Sequence, residues 1–392
     1  MERYSGISFD QSDTMQKHGC ESIYLDNNAT TQPAPEVLEQ VRPFISDLYA
    51  NPSATYLIAG KPTEAIAEAR AKVANAVGAD PDEVIFTSGG SESANTAIVS
   101  ALSERNPGRR QIITTSVDHS CVLGSCGRFH ESGYDFTILD VDKNGNIDLD
   151  QLQKVAGDQT ALITAMWVNN ETGNIYPVEK IAEIAKQYDI PVHIDAVQAL
   201  GKVPVNLHGI DGIDYASFSG HKCHGLKGAG ALYVKNGSPH FPLVIGGGQE
   251  GGKRAGTENV IGIIAMGEAA DLANRNLSGD IAHEKRLRDR FESEMMKMSD
   301  LRINGDLRNR VANTSNISFR YINSQKLSTK LGETGLYVST GSACARGGPS
   351  HVLRAMGASP NGGVRFSFSR YNTDKEVARA VDLVKQACQG FK

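Results

Sequence analysis

A chain of 392 residues, of which 40% are hydrophobic and 22% charged, is long enough for two domains with buried cores. Its net charge of −5 does not favour nucleic acid or an anionic membrane as a partner. No apolar run approaches the length of a membrane span, and the six cysteines lack the paired spacing of a disulfide framework or a zinc ribbon. The composition therefore predicts a cytoplasmic globular protein with reduced thiols.

The order of the predicted elements indicates two domains behind a short extension. Residues 1–22 are polar and aperiodic, and we interpret them as a flexible extension. From Pro35 onward, strand and amphipathic helix patterns alternate, which is typical of an α/β layer with a mostly parallel sheet. The alternation stops near residue 278, where a long charged helix follows. We therefore predict a large domain over 23–278, whose first residues are candidates for packing on the other unit, and a small α+β domain over 279–392.

A Gly-rich turn at residues 87–93 (TSGGSES) lies between a predicted strand and a predicted helix. The start of a helix offers free backbone N–H groups to a phosphate, and Ser91 adds a hydroxyl. The segment matches neither G-x-G-x-x-G nor a P-loop, so a dinucleotide or nucleotide triphosphate site is not favoured. The alternative is that Ser91 only caps the helix.

Two polar side chains follow other predicted strands at their carboxyl ends. Asp195 ends the strand pattern of residues 192–195, where it suits a buried cation such as a pyridinium nitrogen, or alternatively caps the next turn. His119 follows the strand at 112–115, and it suits ring stacking or proton transfer, or a purely structural role.

A lysine follows the strand pattern of residues 214–218. Lys222 is flanked by Ser219 and His221 and is followed by the Gly-rich residues 225–230. This setting suits a lysine used for covalent chemistry, most simply a Schiff base, and the alternative is an ordinary loop lysine. His221, Cys223 and His224 cannot all face one ion from a single turn, so we predict no metal site.

The C-terminal part contributes a thiol and a guanidinium group. Cys344 lies in a loop of small residues, 339–349, and Arg346 nearby favours its thiolate form. Arg365 lies within the strand pattern of residues 364–368, where an arginine usually holds a carboxylate, either structural or from a substrate. Four other cysteines are interpreted as packing or incidental thiols: Cys121, Cys126, Cys223 and Cys388.

Taken together, these segments resemble the class V aminotransferase group, and most closely the cysteine desulfurase family of fold type I pyridoxal-phosphate enzymes. The matching stretches follow the family order at residues 24–31, 51–53, 87–93, 168–173, 193–198, 219–222, 246–250, 254–259, 339–344 and 364–367. The resemblance implies a mostly parallel sheet of the seven-stranded type, sandwiched by helices, beside a smaller α+β domain.

The resemblance also implies a cofactor, pyridoxal 5'-phosphate, and a role for each matching residue. Lys222 would hold the cofactor as a Schiff base and then move the Cα proton of the substrate. Asp195 would keep the pyridine nitrogen protonated, and His119 would stack on the ring and assist proton transfer. The other cofactor contacts would come from Gln198 and Asn170 at the hydroxyl side, from Gly90, Ser91, Ser219 and His221 at the phosphate, and from Thr257 of the partner subunit.

The implied reaction removes sulfur from L-cysteine. Arg365, with Asn170 beside it, would bind the substrate carboxylate, while the Cys344 thiolate would attack the sulfur, leaving a persulfide and releasing L-alanine. The resemblance further implies a homodimer that passes sulfur to an acceptor protein or scaffold. We expect iron–sulfur cluster biogenesis, although thiolated nucleosides or a specialised product are alternatives, and the short stretch after Cys344 leaves the acceptor open.

Other functions are compatible with the same segments. Selenocysteine lyases resemble this chain over the same motifs and also lack the histidine that usually follows the Asn-Pro of residues 51–52. A plain aminotransferase or lyase would give a keto-acid product and no persulfide. A non-catalytic sulfur-relay or scaffold protein would keep the fold without turnover, yet Lys222, Asp195, Cys344 and Arg365 are all present.

Overall fold

The computed structural model of the chain describes residues 22–104, 108–341, 349–359 and 362–391, so the predicted extension lies outside the described residues apart from Ser22. Within these ranges the strands are β1 Ile23–Tyr24, β2 Val84–Thr87, β3 Gln111–Thr115, β4 Asp135–Leu139, β5 Thr160–Met166, β6 Val192–Asp195, β7 Tyr215–Ser219, β8 Gly230–Val234, β9 Leu301–Asn304, β10 Thr314–Phe319, β11 Leu336–Tyr337 and β12 Gly363–Ser367. The α-helices are α1 Pro35–Val41, α2 Pro43–Ser46, α3 Gly60–Val77, α4 Gly90–Glu104, α5 Ser120–Glu131, α6 Leu149–Val155, α7 Val178–Lys186, α8 Val260–Met295, α9 Ser324–Glu333, α10 His351–Ala355 and α11 Asp374–Gln389.

Seven strands form the main sheet, in the order β2-β8-β7-β6-β5-β3-β4. All run in one direction except β8, which pairs antiparallel with β2 and β7. Every residue of the central strands β5, β6 and β7 is buried, as expected for a parallel sheet with helices on both faces. The predicted α/β fold with a mostly parallel seven-stranded sheet is confirmed.

Alternation along the strands sends side chains to the two faces of the sheet, and the large core has one part on each face. In β2, Val84 and Phe86 pack in one part with residues of α3, α7 and α8. Ile85, between them, packs in the other part with residues of α4 and α5. The helices therefore cover the faces, and the carboxyl ends of β3, β5, β6 and β7 are left to meet at one edge.

A second core belongs to the smaller α+β unit, as predicted. Its sheet has the order β12-β10-β9 and is antiparallel, and β1 pairs in parallel with β11 beside it. Ile23 and Leu25 pack in this second core, together with residues of α9 and α11. The first residues of the chain's described part therefore lie with the small unit, although they precede the large domain in sequence.

Helix α8 links the two cores without a break. Near its beginning Ile263 and Ala270 pack in the large core, whereas Leu287 and Phe291 pack in the second core. The predicted boundary between residues 278 and 279 falls inside this 36-residue helix, not in a linker. None of the helices in the described ranges is both long and apolar enough to cross a membrane.

Candidate active site

A cavity of about 220 Å³ lies at the carboxyl edge of the main sheet. The structure brings ten of the residues predicted for the site to its wall: Gly90, Ser91, His119, Asn170, Asp195, Gln198, Ser219, His221, Lys222 and Arg365. The remaining lining residues are Asn28, Ala29, Cys121, Met166, Val168 and Val197. The edge of a parallel sheet thus collects side chains that lie far apart in the sequence, as strand-end signals predict.

Lys222 ends a one-turn 3₁₀ helix, Gly220–Lys222, that directly follows β7. Its Nζ donates to the backbone carbonyls of Asn28, at 2.7 Å, and Ala29, at 2.8 Å. The segment that carries these carbonyls is tied to the lysine turn, because the Thr31 N–H donates to the His221 carbonyl at 2.9 Å. The amine is therefore anchored at the cavity wall, where it can meet a carbonyl compound.

Asp195, at the end of β6, is a buried carboxylate with one backbone partner. Its Oδ1 accepts from the Val197 N–H at 3.0 Å. Burial raises the pKa of Asp195, and the nearby His119 and Lys222 oppose that shift. A buried carboxylate of this kind is stabilised by a cation placed against it, such as a protonated ring nitrogen.

His119 caps α5 and presents its ring to the same cavity. Its Nδ1 accepts from the Cys121 N–H at 3.2 Å and lies 3.0 Å from the Cys121 Sγ. Burial lowers the pKa of His119, opposed by Asp195 and reinforced by Lys222. The imidazole is therefore neutral near pH 7 and carries its proton on Nε2, since Nδ1 accepts.

The first turn of α4 forms a cradle of backbone N–H groups. A Cβ added to Gly90 would lie 2.5 Å from Val197 Cγ2 and 3.7 Å from Ser219 Cβ, so only glycine leaves this close packing undisturbed. Ser219 is therefore a direct neighbour of the helix start, where the backbone N–H groups and the helix dipole favour an anion. The sequence predicted this turn between a strand and a helix, and it lies between β2 and α4; its contact with Val197 was not predicted.

His221 completes this part of the wall as a neutral ring. Its Nδ1 lies 3.1 Å from the Thr30 hydroxyl. Burial, and then the charge of Lys222, lower the pKa of His221 to about 4. The ring therefore takes part in hydrogen bonding without adding charge.

Arg365 lies in β12, is 1% exposed, and reaches the cavity from the small unit. Its Nη2 donates to the Asp26 carboxylate at 2.6 Å and its Nη1 to the Asn170 carbonyl at 2.8 Å. Among the described residues its buried Nε has no hydrogen-bond partner. Asp26 therefore compensates the charge and fixes the guanidinium plane, while part of the donor fork is left for another acceptor.

Of the predicted site residues that the structure describes, Thr257 alone does not line the cavity. Thr257 lies in a separate cleft with Phe86, Arg254 and Asn259, so its predicted role needs the partner subunit and stays a prediction. Cys344 lies outside the described residues, and its role also stays a prediction.

Two features of the site were not predicted from the sequence. Cys121, interpreted as a packing thiol, lines the cavity beside His119, and its position two residues after a strand-end histidine was the available signal. Asp26 lies in the matching stretch at residues 24–31, but its pairing with Arg365, 339 residues away in sequence, was not indicated. A contact between residues so far apart in the sequence leaves no local sequence pattern that could indicate it.

Comparison with known proteins agrees with this geometry. The family profile described as Aminotransferase class-V matches residues 23–380. A protein of Nostoc sp. named "Cysteine desulfurase" is 45% identical over 376 residues, which cover 94% of each chain. A protein of Dictyoglomus turgidum named "Cysteine desulfurase IscS" is 42% identical, covering 94% of this chain and 95% of its own.

Solved structures match over nearly the same range. A structure titled "NIFS-LIKE PROTEIN" superposes with a TM-score of 0.89 at 36% identity, covering 94% of this chain and all of that one (100%). Another, titled "SspA in complex with cysteine", gives a TM-score of 0.78 at 36% identity, covering 89% of this chain and 99% of the other. By sequence, fold and the wall of its cavity, the chain belongs to the class V aminotransferase family, and within it to the cysteine desulfurases.

Proposed function

We propose that the protein is a pyridoxal-phosphate-dependent cysteine desulfurase, which removes sulfur from L-cysteine, releases L-alanine and transfers the sulfur to an acceptor. The observation that carries this proposal is the meeting of four groups around one cavity. They are the Lys222 amine, the buried Asp195 carboxylate, the helix start at Gly90 and the partly engaged Arg365. These groups match the carbonyl, the ring nitrogen and the phosphate of the cofactor, and the carboxylate of the substrate.

The residues of the cavity suit pyridoxal phosphate. The α4 N-terminus, with Ser91, Ser219 and His221, would hold the phosphate, and a Cβ added to Gly90 would crowd Val197 in this cradle. Asp195 would accept a hydrogen bond from the protonated ring nitrogen, and the neutral His119 would stack on the ring. When bound, the cofactor supplies an electron sink that stabilises negative charge at the substrate Cα.

The protein's own groups would then bind the substrate and move its protons. Arg365 would bind the substrate carboxylate through donors that Asp26 and Asn170 leave available, while Asp26 keeps its plane fixed. Once its amine is displaced by the substrate amine, Lys222 would hold the Cα proton at Nζ and return it. Its two carbonyl partners, Asn28 and Ala29, would keep that amine at the wall.

Cys344 is the proposed sulfur acceptor within the enzyme, and this role rests on the sequence. Its thiolate would form an S–S bond as the Cβ–S bond of the substrate breaks. The electron pair of the broken bond stays on the carbon, which takes a proton to become the methyl group of alanine. The sulfur leaves as a persulfide on Cys344.

We also propose a homodimer and an external sulfur acceptor. Thr257 lies outside the cavity of its own chain, which supports a role across a subunit interface. Leu57 is 94% exposed and Ile245 78% exposed, and large apolar side chains in this condition favour association with another surface. For the acceptor we propose a protein or scaffold of iron–sulfur cluster biogenesis, because relatives carry the names IscS and NifS-like.

The test is a cofactor and product assay on the purified protein. After addition of pyridoxal phosphate, we expect a visible absorption band that borohydride abolishes, with the reduced cofactor found on Lys222 by peptide mass spectrometry. Lys222→Ala should lack this adduct, whereas Lys227→Ala, at an exposed lysine nearby, should retain it. L-cysteine should yield L-alanine and a persulfide that is absent from Cys344→Ala. A wild-type protein without a lysine adduct would contradict the proposed function.

Comparison of L-cysteine with selenocysteine separates the two closest activities. A desulfurase should require Cys344 for turnover of cysteine. If Cys344→Ala keeps full activity on cysteine, the proposed sulfur transfer through this thiol is wrong. If only selenocysteine is consumed, the protein is a selenocysteine lyase.

A further inference from the structure

We propose that Lys202 is a positioning residue of the cofactor site: from behind the cavity wall, it holds the side-chain amide of Gln198 with its NH₂ group turned toward the cavity. This inference rests on the proposed cofactor. Lys202 lies four residues after Gln198, in the turns that follow β6, and it does not itself line the cavity.

The burial of Lys202 requires an explanation. The residue is only 8% exposed, and a lysine side chain in the interior loses favourable hydration that its surroundings must replace. Among the described residues Lys202 forms no ion pair, and its Nζ instead donates to two amide oxygens, Gln198 Oε1 and Asn28 Oδ1, the latter at 3.2 Å. Both amides belong to residues that line the cavity.

The contact with Lys202 determines which way the Gln198 amide points. An ammonium group has donors only, so it donates to the carbonyl oxygen of the amide and disfavours the NH₂ side. With Oε1 bound to Lys202, the Gln198 Nε2 faces the other way and donates to the Asn28 carbonyl at 2.9 Å. Without Lys202, only the Asn28 carbonyl would distinguish the two orientations of this amide.

The same contacts extend to the lysine proposed to bind the cofactor. The Asn28 carbonyl that accepts from Gln198 also accepts from Lys222 Nζ, at 2.7 Å. The Asn28 side chain is held in turn, because its Oδ1 accepts from Lys202 and from Asn313 Nδ2, while its Nδ2 donates to Thr314 Oγ1 at 2.8 Å. Lys202 thus supports two groups of the wall, the Gln198 amide and the Asn28 carbonyl, from one buried point.

The charges around Lys202 favour this supporting role over an ion pair. The charged or titratable groups that act on it are Lys222, Glu284 from α8, Arg365 and Cys223. Burial, and then Lys222, lower the pKa of Lys202 to about 7, while burial raises the pKa of Glu284 to about 8. The N–H groups of Lys202 serve the two amides and not the Glu284 carboxyl group, and its ammonium form, which has donors only, prevails below about pH 7.

The test is a double-mutant cycle between Lys202 and Gln198, with the dissociation constant of pyridoxal phosphate as the readout. Lys202→Met keeps a long side chain without a donor, and it should weaken cofactor binding about tenfold, the usual scale of one hydrogen bond to a charged donor. In a Gln198→Ala background the same change should have a smaller effect, limited to what Lys202 contributes through Asn28. The absorption maximum of the bound cofactor should shift in Lys202→Met.

A matched control and a second variant make the outcome decisive. Lys72→Met removes a lysine that pairs with Glu268 between α3 and α8, neither of which lines the cavity, and it should leave cofactor affinity and absorption unchanged. If Lys202→Met does not fold, Lys202→Gln is used in the same cycle. Additive losses in the two backgrounds, or wild-type affinity in the folded variant, would overturn the inference. Absence of cofactor binding in the wild type would instead contradict the proposed function.

Discussion

Replacement of Gly90 by alanine is expected to damage the phosphate cradle through a single contact. The added Cβ would lie 2.5 Å from Val197 Cγ2, whereas two carbon atoms in contact ordinarily lie about 3.5–4.0 Å apart. One of the two groups must therefore move by about 1 Å, and the β-branched Val197 has few alternative rotamers. Overpacking of this kind costs about 1–3 kcal/mol. If this whole free-energy cost weakens cofactor binding, the affinity for the cofactor falls about 5- to 150-fold.

Titration of the apoprotein with pyridoxal phosphate, followed by absorbance, measures this effect. The double variant Gly90→Ala/Val197→Ala should recover most of the affinity, because the next atoms, Val197 Cβ at 3.8 Å and Ser219 Cβ at 3.7 Å, are at ordinary distances. Gly279→Ala, in α8, is the matched control, since a Cβ there meets nothing within 4 Å. Wild-type affinity in Gly90→Ala, or no recovery in the double variant, would refute the clash as the cause.

Three further predictions concern the substrate, the ring nitrogen and pH. Arg365→Lys should raise the KM for cysteine about tenfold or more with little change in cofactor affinity, because a single ammonium cannot replace the planar guanidinium held by Asp26. An unchanged KM would show that another group binds the substrate carboxylate. Asp195→Asn should lower kcat by at least about a hundredfold while the lysine adduct still forms, since the amide cannot stabilise a protonated ring nitrogen; near-normal kcat would exclude that role. Because burial raises the pKa of Glu284 to about 8 from 4.5, the folded state binds the proton more tightly and stability falls as pH rises between these values. Glu284→Gln should reduce the fall in the urea midpoint between pH 5 and pH 9, and an equal fall in both proteins would contradict it.

Much of the site was predictable because its residues follow strands. Asp195, His119, Ser219 and Lys222 each come at or just after the carboxyl end of a strand, and parallel strands place these ends at one edge. The Gly-rich turn before α4 was also predictable, because a strand, a glycine pair and a helix start are consecutive in the chain. Which of these residues touch one another was not predictable from that pattern.

The amino-acid sequence by itself therefore determined the kind and order of the elements, and which strand ends carry polar groups. These features are local, because periodicity and turn residues act over a few positions. Tertiary structure alone decided the pairing of β1 with β11, the continuous helix α8 across the predicted boundary and the contact of Arg365 with Asp26. It also decided that the buried Lys202 reaches Asn28, 174 residues earlier in the chain. Such contacts depend on how the two cores pack. A local sequence pattern indicates which face of a helix or strand is buried, but not which residues that face packs against.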